Sequence, residues 1–338
     1  MAVAQTLDAR QRIAWRTPVL VLAALAGVAL LARTLSGAGI GAARTFLLVF
    51  GSLLVEALPF ILLGAAVSAL IEVFVPASVF ARLARLPRGL QMPVAGLGGF
   101  AFPVCECGSV PVARRLLLKG LHPSAAVTFM LAAPILNPVV LLATGIAYRG
   151  RDVMWPMLIG RAGLGLVVAM AVGWVVGSKS RAELLRPDRG SEMHEHEHEH
   201  GGGAEGRWAR YFGQLADDFT MLTRYLVVGA AVAAALQTFL PQDVIGRVAT
   251  TPVLDVLALM VLAAALSLCS ESDAFVAASF VQFGMASQLG FLVAGPMIDA
   301  KLVALYGGTF GRGFVRTVVI VVFSVTLAGA LWVQVAFG

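Results

Sequence analysis

Phe100-Ala101-Phe102-Pro103-Val104-Cys105-Glu106-Cys107-Gly108-Ser109-Val110-Pro111 decides how this chain is read. The stretch lies in a very apolar region, yet it carries two thiols, a carboxylate and two prolines. Proline removes a backbone donor and disfavours helix at the residue before it, so Pro103 and Pro111 bracket a break. A polar break at membrane depth is costly unless it lines a site. A second break, Leu268-Cys269-Ser270-Glu271-Ser272-Asp273, sits in another apolar stretch and again carries a thiol and acids.

The composition around these breaks bounds the fold. Of 338 residues, 59% are hydrophobic and only 13% are charged, which marks an all-α polytopic membrane protein. The net charge of +6 does not point to nucleic acid. The basic residues cluster at the ends of apolar runs, as cytoplasmic loops require, and no basic stripe is interleaved with aromatics. Three cysteines in apolar surroundings do not make a disulfide scaffold. Arg10, Arg12 and Arg16 precede an apolar run at 18–35. With no small-residue cleavage site followed by a soluble domain, an uncleaved first span is expected rather than a signal peptide.

Further apolar spans lie at 46–75, 122–148, 153–177, 219–240, 286–308 and 314–336, and the cysteine breaks lie in 93–120 and 252–284. The chain divides into an N-terminal segment with the first transmembrane helix (1–43), a first transmembrane repeat (44–178), a His/Glu-rich linker (179–218) and a second repeat (219–338). The duplication shows in four ordered matches. Gly64-Ala65-Ala66-Val67 recurs as Gly229-Ala230-Ala231-Val232, and Pro76 and Arg82 recur as Pro241 and Arg247. Cys105 to Ser109 faces Cys269 to Asp273. Ala133-Pro134-Ile135-Leu136-Asn137 faces Gly295-Pro296-Met297-Ile298-Asp299.

Loop charges orient the copies. Full crossings at both cysteine stretches would spread basic residues evenly over the two sides. If each stretch enters, breaks and returns, then Arg10 to Arg16, Arg82 to Arg88, Arg114, Arg115, Lys119, the linker, Arg312 and Arg316 share the cytoplasmic side. Only Arg33, Arg44, Arg149, Arg151 and Arg247 then face outward, which obeys the positive-inside rule far better. Each half then crosses an odd number of times. The expectation is therefore two inverted repeats, each with a broken helix or re-entrant hairpin carrying a Cys motif, a transporter plan.

Candidate site residues follow. Cys105 and Cys107 offer two sulfurs to one soft centre and Cys269 a third, suiting monovalent copper, zinc or trivalent arsenic. A second arm beginning near Ser109 puts Cys107 at a helix N-terminus, which favours negative charge on sulfur. Ser270, Ser272 and Asp273 read as N-cap residues of the following helix. Glu106, Ser109 and Asn137 add polar ligands, and Glu271, Asp273, Asp299 and Glu56 are proton-coupling candidates. The plainer readings stay open. Cys269 can be a buried packing residue, and Asp299 with Lys301 can be a pair holding a helix interface. In the linker, His194, His196, His198 and His200 alternate with glutamates. Such a tract binds divalent metal weakly or serves as a solvated linker. Gly173 to Ser180 lacks the Walker A spacing, so transport is expected to be gradient-driven. No catalytic residue and no cofactor are expected.

The run Phe100 to Pro111, with Gly120 and Ala133-Pro134-Ile135-Leu136-Asn137-Pro138, resembles the ArsP-type permease family. The resemblance covers the chain from about residue 45 onward. It implies a bacterial inner-membrane permease, not an enzyme, with Cys105 and Cys107 matching the family's cysteine motif. It further implies efflux of a thiol-binding solute such as a trivalent arsenical, organic or inorganic. The expected partners are the lipid bilayer and a small-molecule or metalloid substrate. The alternatives are a permease for a sulfur-containing solute or a soft or divalent metal ion, and a membrane thiol–disulfide oxidoreductase. The topology has a direct test. Accessibility labelling should place Arg85 and Lys119 on the same, cytoplasmic side; finding them on opposite faces removes the first hairpin.

Overall fold

Long apolar runs with few breakers must satisfy their backbone internally at membrane depth, and they do so as helices. The computed structural model describes residues 41–75, 87–101, 105–178, 181–184, 204–239 and 252–337. The expected first span at 18–35 and the histidine tract lie outside them. Among the described residues every regular element is helical.

The first half holds α1 (Gly41–Phe74), α2 (Arg88–Ala101), α3 (Glu106–Leu118), α4 (Pro123–Leu136), α5 (Pro138–Ala147) and α6 (Met154–Val176). A short helix, α7 (Arg181–Leu184), begins the linker. The second half holds α8 (Ala204–Phe239), α9 (Pro252–Leu266), α10 (Asp273–Ser279), α11 (Met285–Ala294), α12 (Ala300–Thr309) and α13 (Arg312–Phe337). α8 runs back from the apolar run at 219–240 to Ala204, well into the expected linker.

Among the described residues, five helical stretches are long and apolar enough to cross a membrane: Ala43–Phe74, Pro123–Ala147, Met154–Val176, Gly206–Thr238 and Arg312–Ala336. Their outward faces carry bare apolar side chains, among them Trp155, Ile159, Trp174 and Trp332. In water such a surface would aggregate; against lipid it is the solvated face.

The two cysteine-bearing stretches reverse direction. α2 and α4 run parallel, since Gly96 faces Thr128 and Ala132 while Gly99 lies against Ala133. The intervening chain must therefore return. α3 makes that return and turns through Gly120, at φ +101°, into α4. Lys119, at the exit of α3, donates to the carbonyls of Glu72 (2.7 Å) and Val75 (2.9 Å), at the end of α1 from which the stretch departs. α9 and α11 repeat the pattern: Gly290 lies against Val256 and Met260, and Gly295 against Ala263. α2 spans about 21 Å at about 1.5 Å per residue, too short to cross a core about 30 Å thick.

Glycines let these helices meet closely. Gly64 of α1 and Gly108 of α3 touch backbone to backbone, with no room for a Cβ on Gly64. Gly64→Leu is expected to cost about 1–3 kcal/mol through overpacking, read as a lower thermal-unfolding midpoint in lipid nanodiscs. Gly163, beside which a Cβ meets nothing within 4 Å, is the control, and Gly163→Ala should not lower the midpoint.

Candidate functional site

The two breaks meet. Cys105 is the N-cap residue of α3, which starts at Glu106, three residues earlier than the expected start near Ser109. Pro111 lies inside α3, past its first turn, where it removes the N–H that would bond the Cys107 carbonyl. The second break runs from Ser267 to Ser272. Ser267 holds φ +49°, rare for a residue with a side chain. Its hydroxyl donates to the Ala264 carbonyl (3.3 Å) and accepts from the backbone N–H of Ala300 (3.2 Å), tying the break to the start of α12. Ser270 donates to Glu106 Oε2 at 2.9 Å, so one break is hydrogen-bonded to the other.

Two buried cations organise the acids. Lys301, 2% exposed, lies 3.5 Å from Glu106 Oε1 and 3.4 Å from Asp299 Oδ2. Arg161, fully buried on α6, reaches Asp273 Oδ2 at 2.7 Å, the Ser270 carbonyl at 3.1 Å and Thr144 Oγ1 at 2.9 Å. Each cation engages an acid from the opposite half of the chain. Ion pairs this deep hold only when further hydrogen bonds satisfy the remaining atoms. Several remain unsatisfied: Glu106 Oε1, Asp273 Oδ1, Asp299 Oδ2 and Glu271 Oε2 have no hydrogen-bond partner. The interior is thus polar, and Glu106 Oε1 and Asp299 Oδ2 meet the Lys301 ammonium at ion-pair distance only.

The cysteines border this cluster. All three are free and buried. Cys105 and Cys107 stand two positions apart at the start of α3, near enough to act on one another electrostatically. Lys301 acts electrostatically on Cys107 and Cys269, and Glu56 and Glu106 act on Cys269 and Glu271. Cys105, Cys107, Glu106, Cys269, Glu271, Asp273, Asp299 and Glu56 therefore belong to one region. Among the described residues, no group of three or more His, Cys, Asp and Glu is arranged to hold a metal ion.

Other expected site residues serve locally. The Ser109 hydroxyl donates to the Glu106 carbonyl (2.9 Å). Asn137 Oδ1 accepts from the Val139 N–H (2.9 Å) and caps α5, as Asp299 Oδ1 accepts from Leu302 N–H (2.6 Å) and caps α12. Ser272 is the N-cap residue of α10 but makes no side-chain cap bond. Lys301, Arg161 and Thr144 were not among the expected site residues. The available signal was charge: Arg161 and Lys301 stand out as cations within apolar spans that otherwise hold acids.

Broken helices meeting around a charged interior, inside an apolar helical shell, define a multi-pass membrane transporter. The chain belongs to the ArsP_1 family of predicted permeases, which matches residues 42–334. It is 38% identical over 288 residues to the UPF0718 protein YcgR of Bacillus subtilis, covering 85% of this chain and 96% of that protein. It is 33% identical over 274 residues to a putative two-component membrane permease complex subunit of Streptococcus mutans, covering 80% of this chain and 88% of that one. No solved structure matches the chain.

Removing one side of a buried pair strands a charge. Arg161→Met should cost about 3–5 kcal/mol, read by thermal unfolding in nanodiscs. Pairing it with Asp273→Asn should recover part of the loss. A single variant as stable as the parent protein would contradict the structural weight given to this pair.

Proposed function

We propose that the protein is a gradient-driven permease of the bacterial inner membrane, exporting a soft, thiol-binding solute, most specifically a trivalent arsenical, organic or inorganic. The observation that carries this reading is the Cys105–Cys107 pair, free and buried where the two breaks join through Ser270 and Glu106. Two adjacent thiols match the softness of trivalent arsenic. A dithiol site also releases its cargo more readily than a full three-thiolate cage.

The transport cycle in this reading is a rocking of two inverted repeats about the site. Element order supports it: α1, α2, α4, α5 and α6 are answered by α8, α9, α11, α12 and α13. Phe74 at the end of α1 packs edge-on against Trp208 and tilted against Tyr211 near the start of α8, so these equivalent helices run antiparallel, as inversion requires. Glu106 and Ser270, which touch, occupy equivalent positions in the two halves. Glu271, Asp273, Asp299 and Glu56 are the candidates for carrying a coupling proton. The linker is cytoplasmic in this arrangement, and its histidine tract can capture metal only weakly. The name of the Streptococcus mutans relative makes it one subunit of a complex, which supports looking for a second subunit here.

Everted membrane vesicles from an arsenic-sensitive host test the reading. The parent protein should accumulate a trivalent arsenical when a proton gradient is applied. Cys105→Ser or Cys107→Ser should lower that uptake at least about tenfold, the scale on which ligand-site changes act. Bulk disulfide formation should be unchanged. Full uptake in both serine variants would sink the thiol-site reading, and a disulfide-formation defect would favour the oxidoreductase alternative.

A further inference from the structure

The thiols stand beside what has the makings of a cation site, and a residue of the chain already occupies it. Glu106 Oε1 and Asp299 Oδ2 are buried, accept no hydrogen bond, and flank one position. In that position lies the Lys301 ammonium, 3.5 Å and 3.4 Å from the two oxygens. Cys107 and Cys269 are within its electrostatic reach. The two carboxylates make an anionic position that a cation fills, and in the structure as it stands that cation is Lys301 rather than a metal ion.

The lysine is also anchored at its backbone. Its N–H-bearing helix start is capped by Asp299 and tied to Ser267 through Ala300. Gly229 of α8 lies so close that a Cβ there would stand 2.7 Å from Lys301 Cα. Lys301 therefore does not swing away with a loop. A free cation must displace a cation fixed in place by its own helix, whereas an uncharged electrophile need only reach sulfur.

We propose that Lys301 is a specificity-determining residue, a tethered cation that fills the position between Glu106 and Asp299 and so bars metal cations from the thiol site. The inference deepens the thiol-site reading above: the cargo is an uncharged thiol-reactive species, not a soft metal ion. Nothing in the cysteine motif itself makes that distinction.

Divalent cadmium is the probe, read by sulfur-to-cadmium ultraviolet absorption of the purified full chain in nanodiscs. The histidine tract gives no such band. The parent protein should show no cysteine-dependent band at cadmium equimolar with protein. Lys301→Gln combined with Asp299→Asn removes the tethered cation with one acid and limits the folding cost. Its apparent cadmium affinity should rise at least about tenfold, and adding Cys107→Ser should abolish the gain. Lys301→Arg, which keeps the charge, should still exclude cadmium. A parent protein that binds cadmium on its cysteines as tightly as the double variant overturns the proposal. So does a folded double variant with no band. Failure of the parent protein to carry a trivalent arsenical would instead contradict the function proposed above and leave the cadmium result standing.

Discussion

The interior rests on an exchange of charges between the two halves of the chain. Arg161 comes from the first half and holds Asp273 of the second; Lys301 comes from the second and holds Glu106 of the first. At this depth a lone charge is expensive, so neither half can bury its ionisable groups without the other. The breaks in the helices follow from the same constraint. The second break, Ser267 to Asp273, supplies a hydroxyl and a backbone carbonyl to these pairs. Ser270 shows this most directly, giving its hydroxyl to Glu106 and its carbonyl to Arg161.

Packing around that centre is built to let backbones approach. Gly64 against Gly108, and Gly229 against Lys301, place α1 and α8 directly on the first turns of α3 and α12. Small residues at such crossings are what membrane helices use where lipid gives them no hydrophobic reason to associate. The consequence for function is positional. The first turns of α3 and α12 carry Glu106, Cys107 and Lys301, and they are held by backbone contact rather than by long side chains. The far ends are held differently: Arg115 bonds Asp218 at 3.1 Å at the mouth of the first stretch, and Tyr148 bonds Gln288 at 2.8 Å on the other. Each of these bonds joins one half to the other, and any relative movement of the halves must exchange them.

Much of this was legible in the sequence because the relevant signals are local. Pro103, Pro111 and the thiols announced the first break, and the matching order of Cys269, Glu271 and Asp273 announced the second. Basic residues at loop ends led to the expectation that both stretches return, and α2 with α4, like α9 with α11, run parallel as a return requires. Asn137 and Asp299 were recognised as equivalent through their prolines, and both prove to be helix caps. The pairings were not legible. Arg161 and Asp273 are 112 residues apart, and Glu106 and Ser270 are 164 apart. No local pattern specifies which acid a buried cation will choose. Ser109 was expected to add a polar ligand; its hydroxyl, early in α3, donates to the Glu106 backbone carbonyl within reach of it. The start of α8 at Ala204 was hidden for another reason: a helix leaving the membrane keeps its hydrogen bonds while its side chains turn polar.

The central claim is that Cys105 and Cys107 together hold the cargo at the junction of the two breaks. X-ray absorption at the arsenic edge, on the full chain in nanodiscs loaded with a trivalent arsenical, measures the neighbours of the bound atom directly. A shared dithiol site predicts sulfur neighbours that disappear when Cys105 and Cys107 are both replaced by serine. A bound arsenical surrounded only by oxygen or carbon in the parent protein would contradict it.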